Sequence, residues 1–219
     1  MNNGLRVLAG LGLMLLTSWF ALVIAPHLQF GDQEPVTIEE TGLSHPPVRP
    51  GDAIQGAEVY RAHGCQYCHT RQVRSETMGS DIARGWGTRR TAARDYIRDQ
   101  PVMLGSMRIG PDLANVGARK TNASILLLQL YDPWINVPGS VMPSFAHLFD
   151  QRRSKLGATS SPDALDLPRA AGPAVEFEII PGPDARALAA YLASQRSDAM
   201  FLEVFPPPAP GSTDAGSNR

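Results

Sequence analysis

The five residues Cys65-Gln66-Tyr67-Cys68-His69 constrain this chain more than any other segment. Their C-x-x-C-H pattern is the attachment sequence for a covalently bound c-type haem. Two thiols at this spacing reach the two vinyl groups along one haem edge. A histidine directly after the second thiol then falls where the iron needs its proximal ligand. The motif holds the only 2 cysteines of the chain. A structural zinc site would need two further Cys or His at ligand spacing, and a thioredoxin-like pair would sit near a βαβ pattern. Neither is visible. The motif therefore predicts one covalent haem c, attached at Cys65 and Cys68, with His69 on the iron.

A haem gives a small domain a large apolar nucleus that it would otherwise lack. With 19 Pro and 20 Gly, the chain reads as a loop-rich wrapping rather than a helical bundle. Its formal net charge of −1 offers no basic excess for nucleic acid. The length of 219 residues suits one anchor and one domain.

Val7 to Ala25 carries no charge, and Arg6 is the only charge before it. As a helix this run spans about 28 Å, enough to cross a bilayer. Trp19 and Phe20 stand toward its far end, where aromatic residues suit the interface. A cleavable signal peptide is the competing reading. Its usual apolar core is shorter, however, and Pro26 would become the first mature residue. An uncleaved anchor over residues 1–25 is expected, with Arg6 inside and the remainder facing outward.

Residues 26–51 contain Pro26, Pro35, Pro46, Pro47 and Pro50 and read as an extended tether. A haem domain is expected over 52–200. Asp52 is placed to cap a helix from about Ala53 to His63, with Gly64 just past its end. Thr91 is expected to cap a second helix ending before Pro101, and Asn122 a third that stops at Asp132-Pro133. Asp184 should cap a fourth, with Leu188, Tyr191, Leu192 and Gln195 at helical spacing. Residues 150–182 look like an irregular insertion, with Val175 to Ile180 as a short strand. Residues 201–219 are expected to be a disordered tail.

The second axial ligand decides between electron transfer and small-molecule chemistry. Met142 is the candidate. Pro138 and Pro143 flank it within Val137-Pro138-Gly139-Ser140-Val141-Met142-Pro143, and stiffen the backbone that would hold a sulfur against iron. His147 is the alternative, since imidazole also completes haem sites. A thioether favours the ferrous state and closes the iron to oxygen.

These features resemble a mono-haem cytochrome c domain: mostly α, with a few helices round a covalent haem and here one N-terminal transmembrane helix. In that family a helix before the motif packs crosswise on a C-terminal helix. Gly56 and Tyr60 match the positions on the first, Leu188 and Tyr191 their partners on the last. Gly110-Pro111-Asp112-Leu113 with Gly117 resembles the segment on the histidine side of the haem. The resemblance implies that the Pro111 carbonyl accepts the Nδ1 hydrogen of His69. Arg108, Tyr131 and Trp134 are candidates for holding the haem carboxylates.

A narrower resemblance rests on Gly105 to Leu113, Leu130-Tyr131-Asp132-Pro133, Val137 to Pro143 and Gln72-Val73-Arg74. Together with the single anchor they resemble the membrane-anchored mono-haem subunit II of cbb3-type cytochrome c oxidases. That family implies a subunit in the bacterial inner membrane, non-catalytic alone, with its haem domain toward the periplasm. It would receive electrons from a periplasmic donor or a sister cytochrome subunit. It would pass them to the catalytic subunit of a haem-copper oxidase. The segment Gly85 to Arg98 and the insertion 150–182 depart from the pattern. Two related readings stay open: the mono-haem subunit of a nitric oxide reductase, and a free tethered shuttle. A haem sensor or peroxidase-like enzyme would require Met142 to leave the iron open. The arginines between Arg84 and Arg98 read as a solvated face, with a surface that guides an acidic partner as the alternative.

Overall fold

A computed structural model describes residues 3–31, 33–153, 161–167 and 177–204. The N-terminal rod consists of α1 (Asn3–Trp19), a π-helical turn (Phe20–Ile24) and α2 (Ala25–Phe30). Pro26 has no N–H to reach back one turn, and the wider turn just before it absorbs that defect. Over Asn3–Gln29 the rod is long and apolar enough to cross a membrane. Its leucines are exposed, as a lipid-facing helix requires. The helix thus outruns the expected anchor end at residue 25.

Beyond the rod the chain does not behave as a free tether. Strands β1 (Val36–Thr37) and β2 (Ser44–His45) pair antiparallel, Val36 opposite His45. Ile38 is buried with Phe201 and Val204, so two positions of the expected tail are packed as well. The rest of that tail, from residue 205, lies outside the described residues.

Helix α3 (Gly51–Ala62) begins one position before Asp52, with Pro50 extended at its N-cap. Asp52 sits instead in the first turn, where a carboxylate complements the helix N-terminus. Gly64 at φ +68° turns the chain out of the helix, a left-handed conformation that favours glycine. The helix expected after Thr91 is reduced to a 3₁₀ turn, Ala93–Tyr96. The Thr91 hydroxyl and amide both point to the Val73 carbonyl, so neither is free to cap.

After α4 (Val116–Arg119), α5 (Ala123–Tyr131) is capped as expected, with Asn122 Oδ1 accepting from the Ser124 amide at 2.9 Å. Asp132 ends α5 but also caps a further short helix, α6 (Pro133–Asn136), through the Trp134 amide at 3.0 Å. The expected insertion is not wholly irregular. Strand β3 (Phe149–Arg153) pairs antiparallel with β4 (Phe177–Pro181), Phe149 opposite Pro181 and Arg153 opposite Phe177. Val175, placed in that strand from the sequence, lies outside the described residues. Helix α7 (Pro183–Ala193) starts on Pro183, whose fixed φ suits a first helical position; Asp184 follows in the first turn rather than capping.

The core is built on the crossing of α3 and α7. A Cβ on Gly56 would lie 2.7 Å from that of Tyr191 and closer still to the Ala187 carbonyl, so only glycine lets the helices meet here. The tilted rings of Tyr60 and Tyr191 meet beside it at 5.2 Å, and both are fully buried with Leu188. Gly117 makes a second close approach, to the end of α7, and its amide bonds the Gln195 carbonyl at 2.9 Å.

Candidate haem-binding site

The haem motif follows α3 at once, as a 3₁₀ turn over Cys65–Tyr67. The amides of Cys68 and His69 both return to the Cys65 carbonyl, at 3.2 and 3.0 Å. This single turn sets both half-buried thiols and the imidazole on one short, rigid segment. Burial pushes the Cys65 thiol up to about 11, against a smaller opposing backbone hydrogen bond. The thiol therefore stays protonated near neutrality.

His69 Nδ1 lies 2.8 Å from the Pro111 carbonyl oxygen. Since a carbonyl only accepts, Nδ1 carries the hydrogen and Nε2 keeps its lone pair. Burial holds the imidazole below its ordinary range, outweighing the opposite pull of Pro111 and Asp112. Neutral, oriented imidazole is the form that binds a metal. Two glycines make room for this arrangement. A Cβ on Gly110 would sit 2.7 Å from Nδ1 of His69, inside the ring's own space. Gly105, at φ +70°, passes under the motif; a Cβ there would lie 2.8 Å from the Gln66 carbonyl oxygen.

Asp112 organises this side of the site, a role that sequence reasoning missed. It is fully buried and accepts from the Thr70 hydroxyl at 2.6 Å and from the amides of Gln72 and Ala114 at 2.7 and 2.8 Å. The proline before it and the amide two residues on were the available signal, a side-chain turn of a common kind.

Arg108, expected to hold a haem carboxylate, is engaged elsewhere. Its Nε donates to the Thr70 hydroxyl at 2.8 Å, and its two terminal nitrogens to Asp81 and the Gln72 carbonyl, each at 2.6 Å. The guanidinium also lies over Trp86 at 5.4 Å. It thus ties the loop after the motif to the Gly110 segment. Tyr131 is half-buried, edge-on to Phe149 at 5.2 Å, while Trp134 is largely exposed. Neither phenol nor indole makes a hydrogen bond among the described residues, so both remain available as donors.

Met142 is half-buried against the main core. Its loop is stitched back to α5. The Phe145 amide donates to the Leu130 carbonyl at 2.8 Å, and the Ser144 hydroxyl donates to that of Tyr131. His147, the alternative ligand, is exposed, its ring tilted against that of His63 at 5.2 Å.

Of the arginines expected on a solvated face, Arg84 is exposed, whereas Arg89, Arg94 and Arg98 are tied into the structure. Arg89 is buried and pairs with Asp95 through two contacts, at 2.7 and 2.9 Å. Arg94 pairs with Glu203, and Arg98 donates to the Pro46 carbonyl at 2.9 Å. Arg71, also buried, bridges to Asp99 at 2.8 Å and faces the Tyr96 and Tyr191 rings.

The residues present fit a covalent haem: paired thiols on one turn, a neutral oriented imidazole, and a glycine cradle that no Cβ could share. A family model described as "Cytochrome C oxidase, mono-heme subunit/FixO" matches residues 21–172, more than half of the chain. A comparison with curated proteins returns no significant match.

Proposed function

Because this chain belongs to the FixO family of mono-haem cytochrome c oxidase subunits, we propose that it delivers single electrons to the oxidase catalytic subunit through a His69/Met142-ligated haem c bound covalently at Cys65 and Cys68. The hydrogen bond from His69 Nδ1 to Pro111 carries this reading, because it prepares Nε2 as the donor on a motif with two adjacent thiols. When bound, haem c supplies reversible one-electron chemistry at its iron.

The chain's own residues do the rest. His69 is kept neutral and fixed in orientation by Pro111, Gly110 and Asp112. Met142, held on a loop stitched to α5, offers the thioether that favours the reduced state and excludes oxygen. Tyr131 and Trp134, whose ring donors have no partner among the described residues, are offered to the haem carboxylates. Arg108 supports the site by bracing the loop between Thr70 and Asp81.

The apolar N-terminal helix fits a membrane-anchored protein. With Arg6 on the inner side, the haem domain faces the periplasm, where a soluble cytochrome or a sister subunit would donate. The family match is to an oxidase, and no observation favours the nitric oxide reductase. The free shuttle is disfavoured by the mount. Arg94 donates to the Glu34 carbonyl and pairs with Glu203, and Arg49 pairs with Asp99 at 2.5 Å. The domain is therefore gripped within a few residues of the membrane helix and has little chain on which to swing.

The test is purification of the full-length chain from native membranes in mild detergent, with companions identified by mass spectrometry. A haem-copper catalytic subunit should co-purify, and the chain should retain haem under denaturing electrophoresis. Recovery of the chain alone would overturn the fixed-subunit reading. For the ligand, Met142→Ala should bind carbon monoxide avidly while the wild type does not.

A further inference from the structure

We propose that Gln129 is a positioning residue for the sulfur of Met142, donating its carboxamide hydrogen to Sδ and so orienting the axial ligand and raising the haem potential. The inference rests on Met142 being the ligand.

Gln129 Nε2 lies 3.9 Å from Met142 Sδ, within hydrogen-bonding range for a large, soft acceptor. The opposite orientation of the carboxamide would set its oxygen against the sulfur, acceptor against acceptor, and is excluded on chemistry. The sequence around it sharpens the point. From Ile125 to Leu130, α5 reads Ile-Leu-Leu-Leu-Gln-Leu, and Leu126 and Leu130 are buried in the core. Gln129 is the one polar side chain in that row. Its Oε1 is buried and has no partner among the described residues. An unmet buried acceptor costs roughly 1–3 kcal/mol. A leucine here would pack without that cost, so the amide is best explained by what its nitrogen does.

The neighbours of Gln129 do the same job on the backbone. Leu130 holds the Phe145 amide, and Tyr131 holds the Ser144 hydroxyl. Three consecutive residues of α5 thus grip the Met142 loop at three points, and the first of them grips the sulfur itself. A thioether sulfur has two lone pairs. One donates to a metal, and an N–H on the other selects which. The positive end of that N–H dipole also favours the electron-richer ferrous state, because ferrous-bound sulfur is the better acceptor.

The experiment uses the full-length holo-chain and the shape-matched variant Gln129→Leu. The ferric variant should keep its sulfur-to-iron charge-transfer band, but its midpoint potential should fall. Added imidazole should displace the sulfur about fivefold more readily, the ratio that one net hydrogen bond represents. In the unaltered ferrous protein, one slowly exchanging carboxamide proton should show a nuclear Overhauser contact to the Met142 methyl, a readout that needs no variant. Unchanged potential and imidazole affinity in Gln129→Leu, or absence of that contact, would overturn the proposal while leaving Met142 as ligand. Absence of the charge-transfer band from the wild type would instead overturn the Met142 reading, and this proposal with it.

Discussion

Gly110 lies against the imidazole of His69, so close that a Cβ would stand 2.9 Å from Nε2 and nearer still to Nδ1 and Cε1. The neighbouring Pro111 carbonyl holds the other nitrogen at 2.8 Å. Contact and hydrogen bond come from adjacent residues, so they must fail together. Gly110→Ala should push the ring aside and stretch the Pro111 bond, at a cost of about 1–3 kcal/mol for overpacking. We expect a lowered yield of covalent haem protein, a shifted midpoint potential and a lower unfolding temperature. Gly139→Ala is the control. It meets open space, although φ +82° strains it locally, and it should leave the His69 side of the haem spectrum unchanged.

The α3–α7 crossing makes a second prediction about backbone approach. Gly56→Ala places a methyl into the Ala187 carbonyl and the Tyr191 side chain, neither of which has space to retreat. Stability should fall by about 3 kcal/mol, the upper part of the overpacking range. Chemical denaturation of the holo-chain measures it. Glycine at this position serves packing rather than ligation, so the axial-ligand bands should survive below the transition.

How much of this was legible beforehand differs by feature. The Cys65–His69 motif could be read from residue type and spacing, because its chemistry lies within one segment, whereas the Gly56–Tyr191 crossing was expected only through the resemblance to cytochrome c domains. Thr91 misled because its hydroxyl and amide serve Val73, a partner that no local rule supplies. The mount was hidden for the same reason. Ile38, His45, Asp95 and Phe201 are far apart in the chain and look like ordinary linker, loop and tail residues. The paired strands after the Met142 loop were half visible: Phe177–Pro181 has strand-like residues, whereas its partner Phe149–Arg153 is mostly charged or polar. Arg108 suggested a haem carboxylate through residue type alone, while Thr70, Gln72 and Asp81 had already claimed it.

Asp95 supplies a pH dependence. Burial opposes its ionisation, but hydrogen bonds from Arg89 and then His45 outweigh this and hold the carboxyl below the usual aspartate range. A folded value below the unfolded one means that the stabilisation is complete above the unfolded value of about 3.9. It is lost as pH falls through the lower folded value. The urea midpoint of the holo-chain should be flat near neutrality and drop on acidification below about pH 4. Asp95→Asn should show a shallower acid slope. It should also cost about 3–5 kcal/mol at neutral pH, because Arg89 would be left buried without its counter-charge. A slope identical to that of the wild type would assign the acid sensitivity to other carboxylates, of which Asp81, held low by Arg108 and the Arg74 amide against its own desolvation, is the next to test.

The grip between the membrane-proximal segment and the haem domain should be separable from the haem itself. Phe201 is buried between Ile38 and Val204; His45 lies 5.2 Å from its ring and the Arg89 guanidinium 4.8 Å. Phe201→Ala removes the apolar centre of that cluster, a loss of about 3–5 kcal/mol if the site cannot collapse. Among the described residues, none of these makes a hydrogen bond or ring contact with Cys65, His69 or Met142, so the haem spectrum and potential should remain those of the wild type. What should change is protection. In the unaltered holo-chain, limited proteolysis should spare residues 33–50, because their backbone and side chains are engaged at Glu34, Ile38, His45, Pro46 and Arg49. In Phe201→Ala the same segment should be cut at once, releasing an intact haem domain from the membrane. If wild type and variant are cut equally fast, the domain is not mounted, and electron delivery by a swinging tether regains its standing.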